Sequence, residues 1–201
     1  MNAQYVCTTP PWGTTWLTND PRFVNAAARD YRLRADSYCV NAGSNLSWMS
    51  GSSDAGGASR IINGLVDLGA YELATNAPLL RVTRVGDAHE LRTLYFGEVW
   101  ITDAVTRTFG VRNVGGSVLS GGLANVSAPF YPAGPVEYQL GVNSAAVLAV
   151  EFAPVSGMFY SVTASLSGGG GAALVLSGVG VPEPGLAAAL LLAGVVWCRR
   201  S

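Results

Sequence analysis

Six acidic residues are concentrated in the first 72 residues of the 201-residue chain, together with several arginines. The acidic residues are Asp20, Asp30, Asp36, Asp54, Asp67 and Glu72, and the candidate basic partners are Arg22, Arg32, Arg34 and Arg60. Two carboxylates across a groove can act as general acid and base on a glycosidic bond. A structural role is favoured, because Asp20 precedes a proline and Asp54 lies in a glycine-rich stretch, and both settings are typical of turns. We therefore predict no catalytic residues and no enzyme activity.

Histidine and cysteine offer little further chemistry. The single histidine, His89, falls in a predicted connector, so a Ser-His-Asp arrangement is not expected. The three cysteines have no spacing typical of a zinc site, and we predict no metal and no cofactor. Cys7 and Cys39 could form a disulfide in an oxidising compartment or remain two buried thiols, and the sequence leaves both alternatives open.

The composition is typical of extracellular β-structure. Only 12% of the residues are charged, against about 25% in ordinary globular domains. The sequence contains 25 glycines, and its net charge is −1. Because this charge provides no basic surface, we expect no nucleic-acid partner.

The chain divides into four segments by their local patterns. Residues 1–73 contain short apolar runs between turns, which predict solenoid rungs or a small β-unit. Residues 74–91 form a connector with a candidate strand at 79–85. Residues 92–180 show strict alternation: in Ala145–Phe152, for example, Leu148, Val150 and Phe152 share one face. The same alternation in Phe159–Leu166 and in 172–176 predicts antiparallel strands of a β-sandwich.

The last segment, residues 181–201, ends in an apolar run at 185–198 followed by Arg199 and Arg200. At ~1.5 Å per residue the run would be about 21 Å long as a helix, shorter than the ~30 Å hydrocarbon core. It has no polar face, and its arginines are typical of a cytoplasmic basic flank. The pattern predicts a short C-terminal transmembrane helix.

The tail resembles the PEP-CTERM sorting signal of bacterial surface proteins. The resemblance is carried by Pro182, Glu183 and Pro184, by the apolar run and by the two arginines. It implies recognition by exosortase, a membrane-embedded transpeptidase. The two prolines keep the motif extended and non-helical, which would leave it accessible to a processing enzyme.

Two further stretches resemble known bacterial modules. Residues 20–43 and 59–72 resemble the choice-of-anchor Q end of a right-handed parallel β-helix, through Asp20-Pro21, Phe23, Asp30-Tyr31-Arg32-Leu33, Asn41-Ala42-Gly43 and Asp67-Leu68-Gly69-Ala70-Tyr71-Glu72. This resemblance implies a capping motif in which Asp67 and Glu72 form a buried structural ion pair with Arg32 or Arg60. Residues 94–116 and 174–180 are similar to the choice-of-anchor D or ASH-type immunoglobulin-like domain.

The expected fold class is therefore all-β: the terminal rungs and cap of a parallel β-helix, then an immunoglobulin-like sandwich, then a transmembrane helix. We expect the chain to be the C-terminal part of an exported cell-surface or matrix protein, located in the cell envelope and anchored through its tail. Its expected partners are the membrane, an exosortase-type enzyme and extracellular polysaccharide. One alternative is the tail of a parallel β-helix polysaccharide lyase or hydrolase whose active rungs are missing. Another is a permanent anchor that no exosortase processes.

Overall fold

A computed structural model describes residues 20–86 and 89–183, and these residues form eleven strands and two short 3-10 helices. The strands are β1 (Phe23–Asn25), β2 (Asp30–Leu33), β3 (Leu80–Thr83), β4 (Thr93–Trp100), β5 (Val105–Asn113), β6 (Leu119–Ala124), β7 (Phe130–Pro132), β8 (Glu137–Leu140), β9 (Ala145–Phe152), β10 (Phe159–Leu166) and β11 (Ala172–Val181). The 3-10 helices are Ala26–Ala28 and Ser47–Met49. The prediction of an all-β chain is confirmed for this part of the molecule.

Strands β3 to β11 form two sheets. One sheet has five strands in the order β4-β11-β10-β6-β8, and the other has four in the order β3-β5-β9-β7. All of these pairings are antiparallel except the parallel pairing of β11 with β4. From β3 to β10 each successive strand lies in the opposite sheet, and β10 and β11 then form a hairpin within one sheet. Two mainly antiparallel sheets around one shared core form an immunoglobulin-like sandwich, as predicted.

The core of the sandwich is built from the apolar positions of the alternating strands. In β9, Leu148, Val150 and Phe152 are buried while the positions between them are more exposed, because successive side chains point to opposite faces. The rings of Phe96, Phe130 and Phe152 pack together with centroids 4.8 to 5.6 Å apart. Burying one such side chain stabilises the fold by about 1.5–3 kcal/mol, so this cluster is a main source of stability.

The turn between β10 and β11 explains the run of four glycines at 168–171. All four have positive φ, from 52° to 92°, and the amide of Gly171 donates to the carbonyl of Gly168 over 2.8 Å. Residues that carry a Cβ atom are strained at such angles, whereas glycine has no Cβ and adopts them readily. The glycine run therefore makes the tight hairpin between β10 and β11 possible.

Residues 20–79 form a loop-rich unit, here called the cap, that packs against the sandwich. Its small core contains Leu33, Cys39 and Val40, and these residues are clustered with Val114 of the sandwich. Pairing within the cap is antiparallel: β1 with β2, and isolated bridges at Ser53–Ser59 and Ile62–Leu65. The predicted parallel β-helix end is therefore wrong for these residues. Apolar side chains that would stack on a neighbouring rung are instead buried against the sandwich.

The fold class as predicted also included a transmembrane helix, and this prediction is corrected as well. No helix within residues 20–86 and 89–183 is long and apolar enough to cross a membrane. The segment for which that helix was predicted, residues 185–198, lies outside the described residues.

Candidate functional site

The acidic residues singled out in the sequence mostly hold the cap together. The carboxylate of Asp67 accepts the backbone amides of Asn41 and Leu73, each over 2.7 Å. The carboxylate of Asp54 accepts the amides of Gly56, Ala58 and Glu72, each over 2.8 Å. Carboxylates bonded in this way act as caps for loop backbone that has no partner in a sheet.

Glu72 and Arg60 form the ion pair at the centre of this network. Their Oε1 and Nη1 atoms are 2.9 Å apart, and the Glu72 side chain is fully buried. The other carboxylate oxygen of Glu72 accepts the amide of Asp67 over 3.0 Å, and Arg60 donates to the carbonyl of Gly69 over 2.7 Å. The structure thus brings together Asp67, Glu72 and Arg60, whereas Arg32 binds elsewhere.

Burial controls the protonation of this network. Burial raises the pKa of Glu72 to about 7 and also raises the pKa of Asp67. The hydrogen bond from the Glu72 amide, with those from two further amides, lowers the pKa of Asp54. The contrast follows the general rule that burial disfavours a charged carboxylate and amide donors favour it.

The remaining acidic candidates are dispersed over the cap surface. Asp30 pairs with Arg32 over 2.6 Å, and Asp36 pairs with Arg34 over 3.1 Å. Asp20 accepts the amide of Arg22 over 2.9 Å in a local turn. In the described part of the chain no group of three His, Cys, Asp or Glu side chains could hold a metal ion.

A cleft of about 400 Å³ lies where the cap meets the sandwich. Its charged side chains are three arginines and two carboxylates, which leaves a surplus of positive charge: Arg22, Arg81, Arg92, Asp36 and Glu90. Glu90 binds the guanidinium of Arg92 through both oxygens, over 2.6 and 3.1 Å, and lies 3.5 Å from Arg22. The cleft can therefore attract anions, although no ligand chemistry is assigned to it by these contacts.

Arg81 is the deepest of these cations and joins the cap to the sandwich. It is 7% exposed, it belongs to β3, and its guanidinium donates to the cap carbonyls of Ala35 and Ser37. Its charge lies 5.2 Å from the ring of Tyr38, and Arg22 lies 5.5 Å from the same ring. Burial lowers the pKa of Arg81 and raises the pKa of Tyr38 to about 12, so the phenol is protonated at neutral pH.

Sequence reasoning missed this cleft. Arg81 lies between Leu80 and Val82 in an alternating pattern, where a single charged residue is typical of a solvent-facing position. Glu90 and Arg92 lie at the end of the predicted connector. The sequence does carry one signal, because Arg81 is a single charged residue between apolar neighbours. Its contact with the cap is long-range, however, and cannot be deduced from spacing.

The segment predicted to be a sorting motif begins where the last strand ends. β11 ends at Val181, and Pro182, which follows, is exposed. The carboxylate of Glu183 accepts a hydrogen bond from the hydroxyl of Thr102, in the loop after β4. Pro184, Arg199 and Arg200 lie outside the described residues.

Of the two cysteines in the predicted disulfide, only Cys39 lies among the described residues. Cys39 is fully buried and is disulfide-bonded. Its proposed partner, Cys7, lies outside the described residues, so the pairing of Cys7 with Cys39 stays a prediction. His89 lies beside β3, where its carbonyl accepts the amide of Arg84 over 3.1 Å.

No family model and no curated protein matches the chain. It is similar to the ASH/PapD-like domain of human CEP192, at 10% identity and a TM-score of 0.45, over 58% of this chain and 94% of that domain. It is similar to the CARDB domain of a Pyrococcus furiosus protein at 17% identity and a TM-score of 0.37, over 55% and 95% of the two chains. A Porphyromonas gingivalis protein of unknown function is similar at 10% identity and a TM-score of 0.41, over 53% of this chain and 49% of that one. These likenesses carry no argument about ligands or activity.

Proposed function

We propose that the chain is a non-catalytic structural and interaction module of an exported bacterial protein of the cell surface or extracellular matrix. One observation carries the proposal: the carboxylates of Asp54, Asp67 and Glu72 are bound to backbone amides, and Glu72 is also paired with Arg60. Carboxylates held in this way stabilise loops and do not face a groove in which a sugar could react.

The tail is the proposed route to the surface. In the proposal, Pro182, Glu183 and Pro184 are recognised by an exosortase-type enzyme at the membrane. Support comes from the position of the motif, because the exposed Pro182 directly follows the last strand of the sandwich. A folded module at this point would be held close to the membrane until processing releases it.

Extracellular polysaccharide is the proposed partner in the matrix. The outward face of the five-stranded sheet presents Tyr95, Trp100 and Phe159, which are 52%, 40% and 59% exposed. Large exposed aromatic side chains supply contact area at low entropic cost, and such side chains are enriched at interaction surfaces. The cationic cleft beside the cap would add attraction for acidic groups on such a polymer.

Sorting is tested in a bacterium that contains an exosortase. The full-length chain, carrying an added export signal, is compared with a variant in which Pro182, Glu183 and Pro184 are replaced by alanine. We expect the parent to be shortened at its C-terminus and recovered from the surface or medium, and the variant to remain uncleaved in the membrane fraction. Identical size and location for both proteins would overturn the sorting part of the proposal.

Binding and catalysis are separated by one further comparison. The purified chain is incubated with a neutral and an acidic polysaccharide, and both retention of protein and release of new sugar ends are measured. We expect retention without release, and weaker retention for Trp100→Ala. Release of reducing or unsaturated ends that is lost in Glu72→Gln would contradict the non-catalytic assignment.

A further inference from the structure

Strand β10 is only partly covered on one of its two edges. It pairs with β11 along its whole length, from Phe159–Val179 to Leu166–Ala172. On its other edge β6 pairs with it only at Ser165 and Leu166. The chain leaves this sheet after β6 and enters the four-stranded sheet at β7. On this second edge a five-residue stretch of β10, residues 159–163, therefore has no neighbouring strand among the described residues.

The backbone groups on this open edge can be identified from the hydrogen-bond pattern. The amide of Gly180 donates to the carbonyl of Met158, so residue 158 and every second residue after it face β11. The amide of Ser167 donates to Gly122 of β6, which gives the same alternation from the other side. Phe159, Ser161 and Thr163 therefore direct three N–H and three C=O groups to the open edge.

This stretch lacks the features that protect the other sheet edges. The edge strand β4 has an irregular register opposite Ser177–Val179 and carries Glu98. The edge strand β8 has only four residues and carries Glu137. The strand β7 has three residues and ends in Pro132, while the outer edge of β3 is covered by Gly169 and Leu91. Bulges, charges, proline and short length all oppose strand addition. Residues 159–163 read Phe-Tyr-Ser-Val-Thr, without charge or proline and with high β-propensity.

We infer that residues 159–163 of β10 pair antiparallel with the same residues of a second copy of this chain, about a two-fold axis at Ser161. In this register Phe159 lies opposite Thr163 on the outer face, and Tyr160 lies opposite Val162 on the inner face. Both are aromatic–β-branched pairs, which stabilise antiparallel strands, and no like charges meet. The segment is therefore complementary to itself, as a symmetric dimer interface requires.

The pairing joins the two five-stranded sheets into one continuous sheet and closes six backbone hydrogen bonds. Its length is limited by β6, which occupies the edge from Ser165 onward. An interface of five residues per strand is small, so the contact is weak in dilute solution. It becomes effective where many copies are held at high local concentration, as on a surface. The inference does not depend on the proposed sorting or on polysaccharide binding.

Disulfide trapping tests this geometry directly. Ser161→Cys is introduced into the full-length chain in a Cys198→Ser background, in mild detergent, and oxidation is followed on non-reducing gels. Because the two Ser161 Cα atoms would be about 5.5 Å apart, within disulfide range, we expect a covalent dimer that reductant removes. Ser120→Cys is the matched control, since Ser120 is an exposed residue of the same sheet whose strand is already paired with β8.

A second variant distinguishes strand pairing from random collision. Thr163→Lys, added to Ser161→Cys, places a charge opposite Phe159 of the second copy and should lower the yield of trapped dimer about tenfold. The doubly substituted variant remains folded if its thermal unfolding matches that of the parent. Equal trapping of the Ser161→Cys and Ser120→Cys variants, or no effect of Thr163→Lys, would overturn the inference.

Discussion

The guanidinium of Arg60 lies 2.9 Å from the carboxylate of Glu72, and this pair joins two ends of a loop that has almost no regular structure. The cap has a small apolar core of Leu33, Cys39 and Val40 with Val114 of the sandwich. Small cores supply little stability, so a buried polar network is expected to contribute much of the order in the cap. Its contribution can be measured through its two charged members.

Replacing Arg60 should destabilise the cap strongly. Arg60→Met leaves the Glu72 carboxylate buried without a cation, and breaking such a pair costs about 3–5 kcal/mol. The free energy of unfolding should be measured by chemical denaturation at pH 8, where Glu72 is ionised. Arg32→Met is the matched control: its ion pair with Asp30 is largely exposed and screened by solvent, so its loss should change the free energy of unfolding far less. Equal losses for the two variants would contradict a structural role for the buried pair.

Stability should fall as the pH rises from acidic to neutral. Burial raises the pKa of Glu72 from its ordinary value of 4.5 to about 7, so the folded chain keeps a proton that the unfolded chain releases. The stability from this proton is present below pH 4.5 and is lost as the pH rises through 7. Since one pKa unit corresponds to about 1.4 kcal/mol, we expect a decrease on the order of 3 kcal/mol across this window.

Glu72→Gln tests the assignment of this pH dependence. The variant cannot titrate at position 72, so its unfolding midpoint should change much less between pH 4.5 and 8. The lowered pKa of Asp54 acts in the opposite direction, but only where that carboxyl protonates, below the window. A pH profile of the Gln variant that parallels the parent would show that another group is responsible.

Arg81 should control the attachment of the cap. Arg81→Met removes the guanidinium that donates to the carbonyls of Ala35 and Ser37, which should cost about 2–4 kcal/mol. Limited proteolysis should then cleave residues 20–79 earlier than the sandwich, because local opening exposes the cap first. Arg107→Met provides the control, since Arg107 is an exposed residue of β5 in the same sheet. Cleavage that begins in the sandwich would refute this role.

Gly178 of β11 should tolerate no side chain. A Cβ atom at this position would lie 2.6 Å from the ring of Phe152, which is fully buried in the core. Gly178→Ala should therefore destabilise the sandwich by about 1–3 kcal/mol through overpacking, as measured by thermal or chemical unfolding. At Gly141 the nearest atom to such a Cβ is the Ser144 hydroxyl at 3.4 Å, so Gly141→Ala should have little effect.

The sandwich could be predicted from the sequence because its signals are local. The strands predicted at Ala145–Phe152 and Phe159–Leu166 are β9 and β10 with the same bounds, since alternation over eight residues specifies which face is buried. The turn at 168–171 depends on an equally local signal, because consecutive glycines permit the positive φ that it needs. The immunoglobulin-like sandwich is the part of the prediction that is confirmed.

The cap could not be predicted because its determinants are long-range. Asn41 donates to the carbonyl of Val114, 73 residues away, and Arg81 reaches back to Ala35 over 46 residues. Short apolar runs between turns are compatible with solenoid rungs and with loops packed on a neighbouring domain, and only the contacts distinguish the two. The motif residues Asp67 and Glu72 nevertheless bind within the cap, and Glu72 pairs with Arg60, as the resemblance implied.

The parallel pairing of β4 with β11 has a mechanical consequence. β11 is the strand that continues into the tail, and it is flanked by β4 on one side and β10 on the other. A pull on the tail acts along β11, so the hydrogen bonds on both sides would be loaded in shear and would have to rupture together. In single-molecule stretching we expect a higher rupture force when the force is applied through the tail than when it is applied through β8. The strand β8 lies at a sheet edge and has one neighbour. The sandwich would then resist tension applied along its last strand, as a mechanical clamp.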